Sequence, residues 1–299
     1  MLSQAWNTVK NRSNLTRILL YLLYFAILFF LFLYLLFPYD KLKERLIYEA
    51  ESKSALKVSI NKLTPLLFNG IWLKDVEVFH RDNPKGAPLF KGDIGLRFSL
   101  FRLIRRGIAV KGDIRAYNGE AIVNITDRKI QGDIKGIDLG AYTALKGLYD
   151  VDAAGIMSGR LDAASGADIF SGSSLNLEKI NGEARFNIAN LSVKNLKILG
   201  LKLPDTFFDA VQSELRINDG RLNIKRLSLE GRELNIQVTG DIILAREISS
   251  SPMNIIVRIK PSVRFEEENK IFFSMGKAKD GEGFYNINIR GTLRTPNLS

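Results

Sequence analysis

Residues 91–100 read KGDIGLRFSL, and this stretch decides the fold. In it the apolar residues Ile94, Leu96, Phe98 and Leu100 alternate with Gly, Arg and Ser. Successive side chains of a β-strand point to opposite faces, so a period of two predicts a strand with one apolar face. The alternation returns at residues 253–259, and the whole of residues 57–299 is predicted to be mainly β.

A tripeptide repeat extends this prediction. Gly-Asp-Ile begins at Gly92, Gly112 and Gly132, at a constant spacing, and again at Gly240. A fixed period predicts repeated strand-turn-strand units. Glycine inside a strand marks a bulge, a bend or a close backbone approach, so the repeated glycines predict a sheet that curves. The predicted fold is a curved, mostly antiparallel β-sheet with a few short helices.

Turns and interruptions divide the sheet. Asn and Gly or Asp and Gly predict hairpin turns at residues 117–119, 180–182 and 218–221. Short helices are predicted at residues 139–149 and 203–211, the second because Pro204-Asp205 resembles a helix start. Residues 155–174 are rich in Gly, Ala, Ser and Asp, which predicts a flexible join between two halves.

Ahead of the β region lies an apolar run. Residues 18–37 read ILLYLLYFAILFFLFLYLLF, without a charge, Pro or Gly, and as a helix they span roughly 30 Å, the thickness of a bilayer core. A cleaved signal peptide has a shorter apolar core and a small-residue cleavage site, whereas Pro38-Tyr39-Asp40 follows here. The run therefore predicts a transmembrane helix, with the anchoring residues Ile18, Leu20, Phe25, Phe30, Leu36 and Phe37.

The flanks predict the topology. Lys10, Arg12 and Arg17 precede the apolar run and no acidic residue accompanies them, so the positive-inside bias places residues 1–17 in the cytoplasm. The rest of the chain is then extracytoplasmic, and we expect it to lie in a bacterial periplasm. The absence of cysteine is compatible with that oxidising compartment, which permits disulfides but does not require them. Residues 38–56 have an apolar stripe that predicts an amphipathic helix, which either lies on the membrane surface or closes one end of the β domain.

Catalytic chemistry is not indicated. The chain has one histidine, His80, no cysteine and no nucleotide-binding or zinc-protease motif, so we expect no enzyme, no metal site and no cofactor. Asp93, Asp113 and Asp133 of the repeats are predicted to pair with charges on neighbouring strands. The net charge of +11 favours anionic lipid head groups as a partner, and we expect no nucleic acid in this compartment.

Several short motifs resemble a known family. Residues 37–40 read FPYD and precede a charged helix, then come Val58-Ser59-Ile60 and GIWLKDVEV at residues 70–78. Near the C-terminal end, SELRI at 213–217, VTGDI at 238–242 and RGTLRTP at 290–296 follow. This order resembles the AsmA-like superfamily and, more closely, its GspN family of type II secretion proteins. The resemblance implies an inner-membrane protein with a periplasmic β domain and no catalytic residue.

Two functions are compatible with these observations, and of these we favour the first. In the first, the chain is a non-enzymatic component of a type II secretion system, and its surface and edge strands contact other envelope proteins. In the second, it is a lipid-binding or lipid-transfer protein, in which one sheet face holds acyl chains. For that face the alternative is ordinary core packing. The candidate groove residues are Ile94, Leu96, Phe98, Ile108, Val110, Ile114, Leu222, Ile224, Ile255 and Val257.

Overall fold

The alternating residues form one large antiparallel sheet, as the sequence predicts. The protein is described by a computed structural model that covers residues 17, 19–25, 27–29, 31–32, 34–52, 54–66, 69–83, 86–105, 107–171, 174–175, 179–195, 197–198, 201–202, 204–245, 248–270, 273 and 279–298. The chain divides into two units, Met1–Leu46 and Ile47–Ser299, and the sheet belongs to the second.

The strands follow one another along the chain. They are β1 (Leu56–Leu66), β2 (Gly70–His80), β3 (Phe90–Phe98), β4 (Ala109–Ala116), β5 (Gly119–Thr126), β6 (Lys129–Asp138), β7 (Asp152–Ser165), β8 (Phe170–Ser171), β9 (Ser174–Leu175), β10 (Ile180–Lys194), β11 (Lys197–Ile198), β12 (Leu201–Lys202), β13 (Thr206–Asn218), β14 (Arg221–Glu230), β15 (Leu234–Ile243), β16 (Pro252–Pro261), β17 (Tyr285–Thr292) and β18 (Pro296–Leu298). β8 pairs with β9 and β11 with β12, and the other strands form one 14-stranded sheet in chain order.

The helices are few and mostly short. The apolar helix α1 (Leu19–Leu36) and α2 (Tyr39–Ser52) precede the sheet, and the latter confirms the predicted helix after the apolar run. α3 (Leu100–Ile104) joins β3 to β4. The 3-10 helix Leu139–Ala141 and α4 (Ala144–Tyr149) confirm the interruption predicted at residues 139–149. A 3-10 helix, Ile248–Ser250, precedes β16, and α5 (Val263–Glu268) follows it.

The sheet is curved and does not close, because β1 and β18 are its two edges. Bulges or register shifts interrupt the pairing at five of its junctions, between β2 and β3, β6 and β7, β7 and β10, β13 and β14, and β14 and β15. Each bulge adds local twist and bend. Gly155 and Gly240 have φ angles of 151° and 145°, conformations that favour glycine. The prediction of a curved, mostly antiparallel sheet is confirmed.

Two of the three predicted hairpin turns are confirmed. Tyr117 and Asn118 have φ of 50° and 61° between β4 and β5, and Asp219 and Gly220 have φ of 45° and 75° between β13 and β14. Positive φ at both central residues gives the turn that matches the twist of paired strands. The third prediction is wrong, since residues 180–182 begin β10 and its Gly182 pairs with both β7 and β13.

Two further predictions are corrected. The helix expected at residues 203–211 is strand β13 from Thr206 onward, because its residues alternate between a buried and an exposed side, as Phe208 and Phe207 show. The flexible join expected at residues 155–174 is, up to Ser165, part of β7, which pairs with β6 and with β10 along its length. Small residues there reflect close strand packing: a Cβ at Gly159 would lie 2.4 Å from the ring of Phe186.

Candidate apolar binding face

Strand register places the apolar residues on one side of the sheet. A single row of cross-strand partners runs from β1 to β17. Every member of this row carries an apolar side chain except Gly159 and Ser213. We call the side that carries this row the apolar face. The row consists of Leu63, Leu73, Ile94, Ile114, Ala121, Ile134, Gly159, Phe186, Ser213, Leu227, Val238, Val257 and Ile287.

The opposite side is strongly polar, and we call it the polar face. The row next to the apolar one reads Asp113, Ile122, Asp133, Arg160, Arg185, Glu214 and Arg226. One sheet therefore separates an apolar surface from a charged one, and alternation along each strand produces this directly.

Two covered regions interrupt the apolar face. α5 and Phe273 pack over strands β10 to β17, where Phe265, Phe208 and Val211 are buried together. A second buried cluster places Ile169 on β7 and β10, with Ala163 and Ile180. These covers provide the hydrophobic core that a sheet needs on one face. The sequence predicted neither cover, because α5 and Ile169 lie in segments that have no β alternation.

Strands β3 to β6 are different. Among the described residues, every Ile, Leu, Val and Phe on the apolar face of these strands is half-buried, and none is buried. Ile130 of β6 packs against the Ile169 cluster, whereas the other apolar residues on this part of the face belong to neither of the two described core clusters. This part of the face is an apolar surface that the described residues leave partly open to solvent, and we call it the open apolar face.

The candidate groove residues mostly fall on the apolar face. Register pairs Ile94 with Ile114 and Phe98 with Val110, both on the open apolar face. Ile108 lies one residue before β4 and is 39% exposed. The C-terminal candidates share the face as well, but Val257 packs against the covered core. The structure thus brings the candidates to one side and divides them between an open and a covered region. The C-terminal members are Leu222, Ile224, Ile255 and Val257.

Charges on the polar face pair across strands, as predicted for two of the three repeat aspartates. The Arg160 Nε lies 2.8 Å from Asp133 Oδ1, its direct cross-strand partner, and the Arg97 guanidinium lies 3.7 Å from Asp113. Asp93 is different, because its Oδ1 accepts a hydrogen bond from the backbone N–H of Asp75 at 2.9 Å. Asp75 has φ of 49° at the bulge in β2, so Asp93 stabilises a bend.

A hydrogen-bonded cluster of charges just before β17 also lies on the polar face. The Asp280 carboxylate accepts from Asn286 Nδ2 at 3.0 Å, from the Phe284 N–H at 2.9 Å and from the Arg258 guanidinium at 2.9 Å. These donors, with the Asn286 bond contributing most, hold the pKa of Asp280 well below its ordinary value. The Arg258 guanidinium also stacks 4.3 Å from the Phe284 ring centroid. The arrangement fixes the chain just before β17 and offers no reacting group.

Within the part of the chain that the structure describes, neither the pockets nor the titratable groups form a catalytic arrangement. Two described pockets, of about 700 and 520 Å³, lie among mixed charges, the first at the β4–β5 turn and the second near Arg226, Ser228 and Lys260. Among the described residues no group of His, Asp and Glu could hold a metal ion. His80 is the last residue of β2, and its Nδ1 lies 3.5 Å from the Asp82 carboxylate.

Of the anchoring residues, Leu20, Phe25 and Leu36 belong to α1, and Phe37 follows it, whereas Ile18 and Phe30 lie outside the described residues. α1 is long and apolar enough to cross a membrane, and its described side chains are largely exposed.

Comparison with family models, with curated proteins and with solved structures found no match. The fold and face define the chain as a large amphipathic β-sheet preceded by an apolar helix of membrane-spanning length.

Proposed function

We propose that the protein is a membrane-anchored, non-enzymatic lipid-binding protein whose open apolar face holds acyl chains. The observation that carries this proposal is the row of half-buried Ile, Leu, Val and Phe side chains on strands β3 to β6. A contiguous apolar surface that stays partly open to water is costly for a protein to maintain, and such surfaces mark binding sites. An acyl chain makes only dispersion contacts and needs no polar partner, which suits a face without charges.

The proposed location is the bacterial inner membrane, with residues 1–17 in the cytoplasm and the sheet in the periplasm. Support comes from the cationic flank before the apolar run and from the length of α1. The resemblance to AsmA-like proteins agrees with this arrangement. A periplasmic sheet with an apolar face would shield acyl chains from water during envelope biogenesis.

Site-specific photocrosslinking of the full chain in membranes tests this proposal. Val123 and Asn124 are neighbours on β5, the first on the apolar face and the second on the polar face. Benzoyl-phenylalanine at Val123 is expected to give peptides that carry a phospholipid mass after irradiation, and the same residue at Asn124 is not. Leu96 and Arg97 on β3 form an equivalent second pair. Local adducts exclude lipid that merely surrounds the anchor.

A charge variant adds a loss-of-binding test. Val123→Asp is expected to reduce the lipid adduct at position 96, while Asn124→Asp, which adds the same charge on the other face, leaves it unchanged. Melting curves of both variants establish that they are folded. Adducts of equal yield at 123 and 124, or no lipid adduct at 96 and 123, would refute lipid binding by the open apolar face.

A second candidate function is favoured by the free edge of the sheet. β1 is an edge strand of 11 residues and pairs only with β2 in the described sheet. Such edges accept strands from other proteins. We infer, with support from the GspN-like motifs, that the chain serves as a component of a type II secretion system in contact with other envelope proteins. Deletion of the gene should then reduce secreted proteins, and an unchanged secretome would remove this candidate.

A further inference from the structure

The connection between β3 and β4 is an exposed protrusion with an unusual composition. Residues 99–108 read SLFRLIRRGI, which contains three arginines and no acidic residue. We call these residues the α3 protrusion, after the helix within them. Phe101 is 63% exposed and Ile104 is 81% exposed, and they lie three positions apart, on the same side of α3. Large apolar side chains are rarely presented in this way without a partner.

The protrusion is held in place by hydrogen bonds. The Asp127 Oδ1 accepts from the Ile108 N–H at 2.6 Å, and Asp127 Oδ2 lies 3.9 Å from Arg102. The Gly107 N–H donates to the Arg102 carbonyl at 2.9 Å, and the Ser99 N–H donates to the Ala109 carbonyl at 3.0 Å. These bonds fix both ends of the segment to β4 and to the β5–β6 turn, so its apolar side chains are displayed by a defined backbone.

Cationic groups surround the exposed apolar side chains. The Arg105 guanidinium lies 4.3 Å from the centroid of the Phe101 ring, in a cation–π contact. Arg102 has half of its side chain exposed. An aromatic and an aliphatic side chain flanked by arginines are suited to the bilayer interface, where acyl chains meet phosphate groups. The apolar side chains can enter the acyl-chain region while the guanidinium groups contact the head groups.

The position of the protrusion relates it to the open apolar face. Phe98 ends β3 and its cross-strand partner Val110 lies near the start of β4, so the open apolar face reaches the base of the protrusion. Ile108 continues the apolar surface toward α3, at 39% exposure. Because adjacent strands are antiparallel, this end of the sheet is opposite to the end at which β1 starts.

We propose that the α3 protrusion docks on the surface of an anionic phospholipid bilayer, with Phe101 and Ile104 inserted and Arg102 and Arg105 on the head groups. Lipid passage between that bilayer and the open apolar face is a consequence that rests on the proposed function, whereas the docking itself does not. Charge complementarity selects a bilayer as the occupant, since the segment carries three positive charges by sequence and one nearby carboxylate, Asp127.

Vesicle flotation tests the docking with the full chain. The protein is reconstituted in nanodiscs of phosphatidylcholine, so that the anchor is satisfied in a neutral membrane, and is mixed with vesicles of equal parts phosphatidylglycerol and phosphatidylcholine. We expect the protein to float with these vesicles, and not with vesicles of phosphatidylcholine alone. Salt should weaken the association, since exposed charges are screened. Empty nanodiscs control for fusion or exchange of the discs.

Two pairs of variants identify the surface. Arg102→Glu with Arg105→Glu is expected to weaken partitioning by roughly 30-fold or more, from the loss of two head-group contacts. Arg232→Glu with Arg290→Glu makes the same charge change at exposed positions elsewhere and should change partitioning little. Phe101→Ser with Ile104→Ser, which keeps both arginines, should also weaken it, because the inserted apolar area is lost.

The outcomes separate this inference from the proposed function. Flotation that persists in Arg102→Glu with Arg105→Glu, or that the Arg232 and Arg290 variant loses equally, would overturn docking by the protrusion. So would a crosslinker at Phe101 that captures protein and no lipid in cell membranes. If the Val123→Asp protein loses the lipid adduct at position 96 but still floats with the vesicles, docking and lipid binding are separate properties. If the wild type floats but gives no lipid adduct at positions 96 and 123, docking stands and the proposed function fails.

Discussion

Two glycines in the same tripeptide should respond oppositely to the same substitution. Gly132 and Gly240 each begin a Gly-Asp-Ile sequence, and both lie on the apolar face within strands. A Cβ at Gly132 would meet nothing closer than Leu161 Cβ at 3.7 Å. A Cβ at Gly240 would lie 2.3 Å from the Asn254 carbonyl oxygen and 2.7 Å from the Ile255 Cα, both of which are backbone atoms of β16.

The expected magnitudes follow from this geometry. Gly240→Ala places a side chain at φ of 145° and forces two strands apart, which should reduce the free energy of unfolding by about 3 kcal/mol or more. Gly132→Ala should increase it by about 0.5–1 kcal/mol, because alanine loses less backbone entropy than glycine in a strand. For a domain of this size, about 2–4 °C of melting temperature accompanies each kcal/mol.

Differential scanning fluorimetry of the full chain in detergent measures both changes. Gly240→Ala should lower the melting temperature by roughly 6 °C or more, and Gly132→Ala should raise it slightly. Neither substitution alters charge or polarity, so each is the control for the other. If both variants melt within experimental error of each other, the close approach of β15 to β16 at Gly240 is not real, and the bend assigned to this position fails with it.

Two further predictions follow from the core and the polar face. Phe208→Ala removes a ring that is 2% exposed and should lower the free energy of unfolding by about 3–5 kcal/mol. Phe207 is its neighbour on the polar face and is 47% exposed, so Phe207→Ala should lower that free energy by less than about 1 kcal/mol. Equal losses of stability in thermal melts would contradict the assigned faces. Because the pKa of Asp280 is lowered in the folded state, its stabilising contribution is complete above the pKa of an unfolded Asp and is lost as the pH falls through the pKa of the folded state. The difference in melting temperature between wild type and Asp280→Asn should therefore shrink below about pH 4. A difference that does not depend on pH would refute the role of the carboxylate.

The local rules predicted the sheet because alternation and turn chemistry act over a few residues. The Asn118 and Asp219 turns were predictable since positive φ is tolerated there, and both connect strands that pair with each other. Asn181 and Gly182 are the same turn-forming residue types, but they form no hairpin turn. They lie within β10, which pairs with β7 on one side and β13 on the other. Turn residues mark a turn only where tertiary pairing requires one.

The candidate site was predictable as a face and not as a cavity. Period two places Ile94 and Val257 each on the apolar side of its own strand, and the strand register puts both residues in one cross-strand row. Which part stays open depends on where Phe265, Phe273 and Ile169 fold back, and these residues are remote in sequence from the strands they cover. The α3 protrusion is not predictable from the sequence for a different reason, since the periodicity of a five-residue helix is too short to identify it.

The order of strands in the sheet has a consequence for how the chain acquires its structure. Each strand of the 14-stranded sheet pairs with the strand of that sheet that precedes it along the chain, from β1 to β18. Its partner has therefore already been synthesised. Contacts between sequence neighbours lower the entropic cost of closing loops and favour rapid folding. Such a sheet can grow one hairpin at a time as the chain is synthesised, because each new strand pairs with the edge strand that formed just before it.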